Sequence, residues 1–164
     1  MRLLRSYLPA LLLLYCFGIL ICGSRALSLT SDEPAHITVG YALLARGRAA
    51  FWLLAQHGHP PLLNILEALL VYLEKPTIPL EHLDGWPLWM SNYVRAFVPY
   101  LMPMERTEVV SRMPIILMTV SLGALIFRWG KELGNHSTGL IALIVFCFDP
   151  VSYTHLTLPT IYSV

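Results

Sequence analysis

The chain has 164 residues, of which 56% are hydrophobic and only 13% charged, and its mean hydropathy is +0.62. This composition excludes an ordinary soluble domain and indicates an integral membrane protein. The net charge is +1, so no basic patch points to a nucleic-acid partner. All three cysteines lie inside apolar runs, which is typical of core residues and not of a disulfide framework or a zinc site.

The first predicted element, residues 1–23, is a membrane-spanning helix whose apolar run covers residues 7–23. Arg2 and Arg5 precede this run, so the positive-inside rule predicts a cytoplasmic N-terminus and an outer side from residue 24 onward. A cleaved signal peptide is the alternative. The run is longer than the about 7–15 apolar residues of such a peptide, and more spans follow.

A long outer loop, residues 24–108, opens with a predicted short helix. Ser31 or Asp32 can cap this helix, which would end near residue 45 because Gly47 follows. The helix is too short to span a bilayer, so we expect it to lie along the membrane surface. Apolar residues recur on one face at helical spacing: Ile37, Tyr41 and Leu44.

A second short helix is predicted after Pro61 within the same loop. Its apolar run of about 12 residues is interrupted by Asn64 and Glu67 and falls below the roughly 20 residues that a span needs. We therefore predict a juxtamembrane helix, with a genuine span as the weaker alternative. Residues 76–104 are rich in proline and aromatic side chains, which indicates a loop that rests at headgroup depth.

The remaining elements return the chain to the membrane. A second span is predicted over residues 109–129, with Arg112 reaching toward water at its outer end. Residues 130–137 then form a cytoplasmic turn, and a third span begins over residues 138–150. The predicted fold class is an all-α, multi-pass transmembrane helical protein with a long outer loop that carries short juxtamembrane helices.

The C-terminal residues 151–164 break the apolar pattern in mid-span. The string from Val151 to Thr160 resembles an in-frame translation of a common transposase-based sequencing adapter. We expect residues 151–164 not to be native protein and the reading frame to be truncated there. The alternative is a genuine polar outer loop.

Two acidic residues, Asp32 and Glu33, stand at the start of the first loop helix and are the candidate catalytic residues. Unpaired N–H groups at a helix start favour ionised carboxylates, which can take a proton from a hydroxyl or bind a divalent ion. His36 shares their helical face, and Gly40 continues it with room for a bulky ligand. We predict a substrate pocket of His36, Gly40 and Tyr41. Simple helix capping is the alternative for the acidic pair.

A second polar cluster follows at His57-Gly58-His59-Pro60-Pro61. The prolines restrict the backbone, so His59 would sit at a helix entrance, where a histidine could hold a lipid phosphate. An interfacial histidine beside a structural turn explains the same spacing. A metal site of histidines and carboxylates is a further alternative, although the spacing matches no standard zinc motif.

The order of these elements resembles bacterial membrane glycosyltransferases of the protein O-mannosyltransferase-like superfamily, which have the GT-C fold. The lipid A aminoarabinose transferases are relatives. The specific parts of the resemblance are Asp32-Glu-Pro-Ala-His36 and His59-Pro-Pro-Leu62, followed by the span that Arg112-Met-Pro114 introduces. The resemblance covers residues 1–150, which would be only the N-terminal part of such a protein.

The resemblance implies roles for single residues. In that family the first outer loop carries an acidic residue at the active site, so Asp32 would be the general base or metal-binding acid, with Glu33 beside it. His59 stands where the aminoarabinose transferases have a lysine that meets the donor phosphate. An acidic residue precedes that lysine in the relatives, whereas Gly58 stands here, which puts a metal site in doubt.

The resemblance also implies a reaction. The full-length protein would transfer a sugar from a polyprenyl-phosphate donor to a hydroxyl of a lipid, glycan or protein acceptor on the outer face of the bacterial inner membrane, and we do not expect this N-terminal part to act alone. Its only implied cofactor is a divalent metal ion at Asp32 and Glu33, if any. The alternative class is a non-enzymatic multi-pass assembly or lipid-binding protein. A polymerase or ligase of lipid-linked oligosaccharides would share the donor but not this loop pattern.

Overall fold

The computed structural model describes residues 2–149, and every regular element within that range is helical. The absence of strands from these residues confirms the all-α prediction. The α-helices are α1 (Arg2–Ala26), α2 (Glu33–Arg46), α3 (Phe51–His57), α4 (Pro61–Glu74), α5 (Met90–Phe97), α6 (Met104–Leu133) and α7 (His136–Phe148). Short 3₁₀ turns lie at Gly47–Ala50, Leu80–His82 and Val98–Leu101. The predictions for residues 151–164 lie outside the described residues.

Two helices are long and apolar enough to cross a membrane by length and composition. They are Tyr7–Ala26, within α1, and Met104–Leu133, the whole of α6. Only 22% of the apolar window of each is buried inside the protein, whereas the core helix of a soluble domain would be mostly buried. Helix α6 extends the predicted span 109–129 at both ends, and α7 begins two residues before the expected position 138.

The chain divides into two compact units, and the first combines residues 1–27 with residues 115–164. Its described part consists of α1, the C-terminal part of α6, and α7. A small apolar core holds these helices together: Cys16, Leu20, Ile116, Leu143 and Cys147. Within this unit the backbones of α6 and α7 come close at Gly130 and Gly139. A β-carbon added to Gly130 would lie 2.9 Å from the Gly139 Cα.

The turn between α6 and α7 is short because Asn135 caps the second helix. Its side-chain oxygen accepts hydrogen bonds from the backbone N–H groups of Ser137 at 2.9 Å and Thr138 at 3.1 Å. These bonds satisfy donors that the first turn of a helix leaves unpaired. The predicted tight turn is therefore confirmed, although α6 itself continues to Leu133.

The second unit, residues 28–114, is built around α2. This helix begins with Pro34 in its first turn and ends at Gly47, whose φ of 53° is unfavourable for other residues. These boundaries match the predicted ones. The predicted one-sided surface helix is wrong, however, because every residue from His36 to Leu43 is buried. Helix α2 is the central helix of this unit, covered on more than one face.

Helix α4 packs against α2 and begins, as predicted, directly after Pro60. Pro61 occupies its first turn, where the missing N–H costs nothing. The residues of α4 that are buried recur at helical spacing and form one face: Asn64, Glu67, Ala68 and Val71. Two polar side chains are thus placed inside the unit.

The segment 76–104, which we predicted as a loop at headgroup depth, is partly helical; its depth in a membrane stays a prediction. It contains α5 and two 3₁₀ turns, and several of its apolar side chains are fully buried in the core of the second unit. Prolines and aromatic residues indicated an interface position, but the same aromatics also suit a packed core. The fully buried residues of the segment are Leu80, Tyr93, Phe97 and Leu101.

Candidate functional site

The predicted acidic pair lies at the start of α2, but its two carboxylates have different environments. Glu33 is buried, whereas Asp32 is half-buried and occupies the N-cap position. The Asp32 side chain makes no capping hydrogen bond, so simple capping does not account for it. The Glu33 carboxylate instead accepts hydrogen bonds from Thr30, at 2.7 Å from the backbone N–H and 3.2 Å from the hydroxyl.

Glu33 forms a buried ion pair with Arg112. The Arg112 Nε donates to Glu33 Oε1 at 2.7 Å, and its second nitrogen donates to Oε2 at 2.8 Å. That second nitrogen also donates to the Ser28 carbonyl at 3.0 Å. The prediction that Arg112 reaches toward water is wrong, because its charge is satisfied inside the second unit. This bidentate arrangement ties the start of α2 to α6.

Glu67 is a second buried carboxyl, on the α4 face that packs against α2. Burial raises its pKa to about 8, the nearby charges of Glu33 and Asp32 raise it further, and Arg112 opposes the shift. The group is therefore mostly protonated at neutral pH. Its Oε2 and the Asn64 Nδ2 find no hydrogen-bond partner within the described chain, which is rare for buried polar atoms.

Three histidines converge beside these groups. His36 on α2 is buried, His57 at the end of α3 is half-buried, and His59 just before α4 is exposed. The His57 Nε2 lies 3.1 Å from the His36 Nδ1, and the Asn64 Oδ1 lies 2.5 Å from that same Nδ1. Gly58 lies between His57 and His59. Its left-handed backbone (φ 73°) turns the chain there, so that both side chains lie beside His36.

Burial and the neighbouring rings keep His57 uncharged at neutral pH. Its pKa is lowered to about 4, first by burial and then by His36 and His59, while Asp32 and a hydrogen bond that His57 donates to Asn64 act in the opposite direction. The charge of Asp32 thus acts on two members of the group, His57 and Glu67. The structure therefore brings His36 and His59 into one cluster, and Asp32 lies close enough to act on His57 and Glu67.

The other two predicted pocket residues do not line an open pocket. A β-carbon at Gly40 would lie 1.8 Å from the Asn64 carbonyl oxygen, so α4 fills the space that we expected a ligand to use. Tyr41 is fully buried, and its hydroxyl donates to the Lys75 carbonyl and accepts from the Ile78 N–H. Gly40 permits close helix packing, and Tyr41 belongs to the core.

Sequence reasoning missed Asn64 and Glu67 as members of this group, whereas it had singled out His57 as part of the second polar cluster. The polar residues of α4 were treated as interruptions of an apolar run. Their spacing nevertheless held a signal, because positions 64 and 67 share a helical face with the apolar positions 68 and 71. The arrangement combines one accessible carboxylate, one buried neutral carboxyl and three imidazoles. Such a set can accept or donate protons and can ligate a cation.

Comparison with protein-family models, with curated proteins and with solved structures finds no match for this chain.

Proposed function

We propose that this protein is a membrane glycosyltransferase that moves a sugar from a polyprenyl-phosphate donor to a hydroxyl acceptor on the outer face of a bacterial inner membrane. The observation that carries the proposal is the half-buried Asp32, beside a group of three histidines and a buried neutral carboxyl. Two candidate membrane-spanning helices in the same chain suit a lipid-borne donor. Perturbed titratable groups of this kind cluster at functional sites more often than elsewhere.

The reaction assigns one step to each group. Asp32 takes the proton of the acceptor hydroxyl, whose oxygen attacks the anomeric carbon of the sugar. The bond from that carbon to the phosphate oxygen breaks, and the polyprenyl phosphate leaves with the bonding electrons. A single displacement inverts the anomeric centre. His59, exposed at the entrance of α4, is the proposed contact for the donor phosphate.

Glu33 has a different role in this proposal from the one expected of it. Both of its oxygens are engaged by Arg112 and Thr30, which leaves it poorly placed to accept a substrate proton. We assign it to positioning: it holds the start of α2, and hence the backbone that carries Asp32. The base is then Asp32 alone.

Transfer activity tests the proposal directly. Membranes from cells that express the protein would be given radiolabelled polyprenyl-phosphate sugars, and transfer to endogenous acceptors would be measured. Asp32→Asn keeps the shape but removes the base, so transfer should fall by about a hundredfold or more. Asp84→Asn, at an exposed carboxylate of the same unit, is the matched control and should retain full activity. Full activity of the Asp32 variant would reassign the base.

A non-enzymatic assembly or lipid-binding protein is the second candidate. One observation favours it: the Glu33 carboxylate of the acidic pair forms a buried ion pair with Arg112 and so has a structural role. A protein of this non-enzymatic class would transfer no sugar from polyprenyl phosphate in the membrane assay above. Its Asp32→Asn variant would still bind the lipid phosphate.

A further inference from the structure

Three imidazole rings form a small, closed triangle in the second unit. Their centroids lie 4.5 Å apart for His36 and His57, 5.1 Å for His36 and His59, and 4.6 Å for His57 and His59. One ring nitrogen of each residue lies within 4.8 Å of the other two. The residues come from α2 and from the segment that joins α3 to α4, so the fold, not local sequence, assembles the triangle.

We propose that His36, His57 and His59 bind a zinc ion. Zinc accepts imidazole nitrogens at about 2.0–2.1 Å in tetrahedral geometry, which places ligand nitrogens about 3.3–3.4 Å apart. The His36 and His57 nitrogens already lie 3.1 Å apart. Closing the remaining separations, which are at most 4.8 Å, needs only small side-chain rotations, and His59 is exposed and free to make them.

The backbone around the cluster restricts where these rings can go. Gly58 provides the chain reversal that turns His57 and His59 toward one point, and Pro60 and Pro61 fix the chain immediately beyond. On the other side the Asn64 Oδ1 lies 2.5 Å from the His36 Nδ1 and orients that ring. Because an amide oxygen only accepts, this contact needs a proton on Nδ1; zinc binding at that nitrogen releases the proton and displaces the contact.

A metal ion fits this cluster, and the donor phosphate proposed to contact His59 would then reach the ion's open fourth position. The three rings, with centroids 4.5–5.1 Å apart, bring one nitrogen of each histidine near a common point, where a cation can accept their lone pairs. Uncharged histidine is the form that ligates zinc. The negative charge of Asp32 acts on His57 and would add to the attraction for a cation. Three protein ligands leave a fourth position for water or a substrate oxygen, as in catalytic zinc sites.

Zinc binding by the full chain in detergent micelles tests the proposal and does not depend on transfer activity. The protein would be purified with a tag that contains no histidine, stripped with a chelator, and titrated with Zn²⁺ by calorimetry. Co²⁺ would serve as a second probe, through the visible absorption that tetrahedral coordination gives. His59→Ala is the main variant, because this exposed side chain contributes least to folding. His82→Ala removes an exposed histidine of the same unit and is the matched control.

We expect one Zn²⁺ per chain. His59→Ala and His57→Ala each remove a direct zinc ligand. Each should weaken zinc binding by about 10–100-fold or more, which is the loss expected for an outer-shell partner, whereas His82→Ala should bind zinc as the wild type does. Circular dichroism of each variant would show retained helix content. Equal zinc affinity in His59→Ala and the wild type would overturn the proposal. If His59→Ala lost affinity for inorganic phosphate while its zinc affinity stayed unchanged, the zinc proposal would also be overturned, and the cluster would be an anion site.

Discussion

The buried ion pair between Glu33 and Arg112 should dominate the stability of the second unit. Their side chains are only 6% and 5% exposed, so water and salt screen the pair little. Glu33→Gln or Arg112→Met would leave the other charge buried and unpaired, which costs about 3–5 kcal/mol. A cost of this size is a large fraction of the about 5–15 kcal/mol that typically stabilises a domain.

A double-mutant cycle separates the pair from its surroundings. Replacing both residues, in Glu33→Gln with Arg112→Met, removes both charges together and should recover much of the loss, because no buried charge is then left unpaired. Unfolding by denaturant in micelles can be followed through the fluorescence of Trp52, which packs against Trp86 and Tyr93 within the same unit. Every variant would also carry Trp129→Phe, so that tryptophan fluorescence from the first unit does not contribute.

An exposed ion pair of the same unit is the control. Arg106 donates to Glu74 at 2.9 and 3.2 Å, but 67% of the arginine side chain and 34% of the glutamate side chain remain exposed. Glu74→Gln should therefore leave the unfolding midpoint nearly unchanged. If Glu33→Gln were equally harmless, or if the two single losses simply added in the double variant, the reasoning about the buried pair would be refuted.

Two further predictions concern the contact between α2 and α4. Gly40→Ala places a methyl group on the Asn64 carbonyl and should destabilise the unit by about 3 kcal/mol or more, whereas Gly18→Ala, in open space, should not; equal unfolding midpoints for the two variants would contradict the packing argument. Glu67 ionises near pH 4.5 when unfolded and near pH 8 when folded, so its stabilising effect is complete below pH 4.5 and is lost toward pH 8, by up to about 1.4 kcal/mol per pH unit. Glu67→Gln should flatten this dependence in unfolding curves measured from pH 5 to 8, and an unchanged slope would show that the carboxyl is not buried in the neutral form.

Local signals in the sequence predicted α2 and α4 of the second unit, but not α3 or α5. Gly47 ends α2 because its backbone is left-handed, and Pro61 begins α4 because a first-turn residue needs no N–H. Both effects act within a few residues. The two membrane-length helices were equally predictable from the sequence, because length and hydropathy are properties of a single segment.

The interactions that define the candidate site act over long distances along the chain. Glu33 and Arg112 are 79 positions apart, and nothing local pairs them. The missing side chain of Gly40 fits both an open pocket and a tight helix contact, and only the position of Asn64 decides between them. Glu67 looked like a solvent-facing break in an apolar run until the packing of α4 placed it inside.

The contact between Gly130 and Gly139 has a consequence for biosynthesis. The two glycines are nine positions apart, and Asn135 closes the turn between their helices with its own side chain. This hairpin can form as soon as both helices have left the ribosome, since it requires no distant segment. Helix α1 is translated more than a hundred residues earlier, yet Cys16 and Leu20 meet their partners Leu143 and Cys147 only once α7 exists. The first helix of this unit to be made is thus the last to complete its contacts.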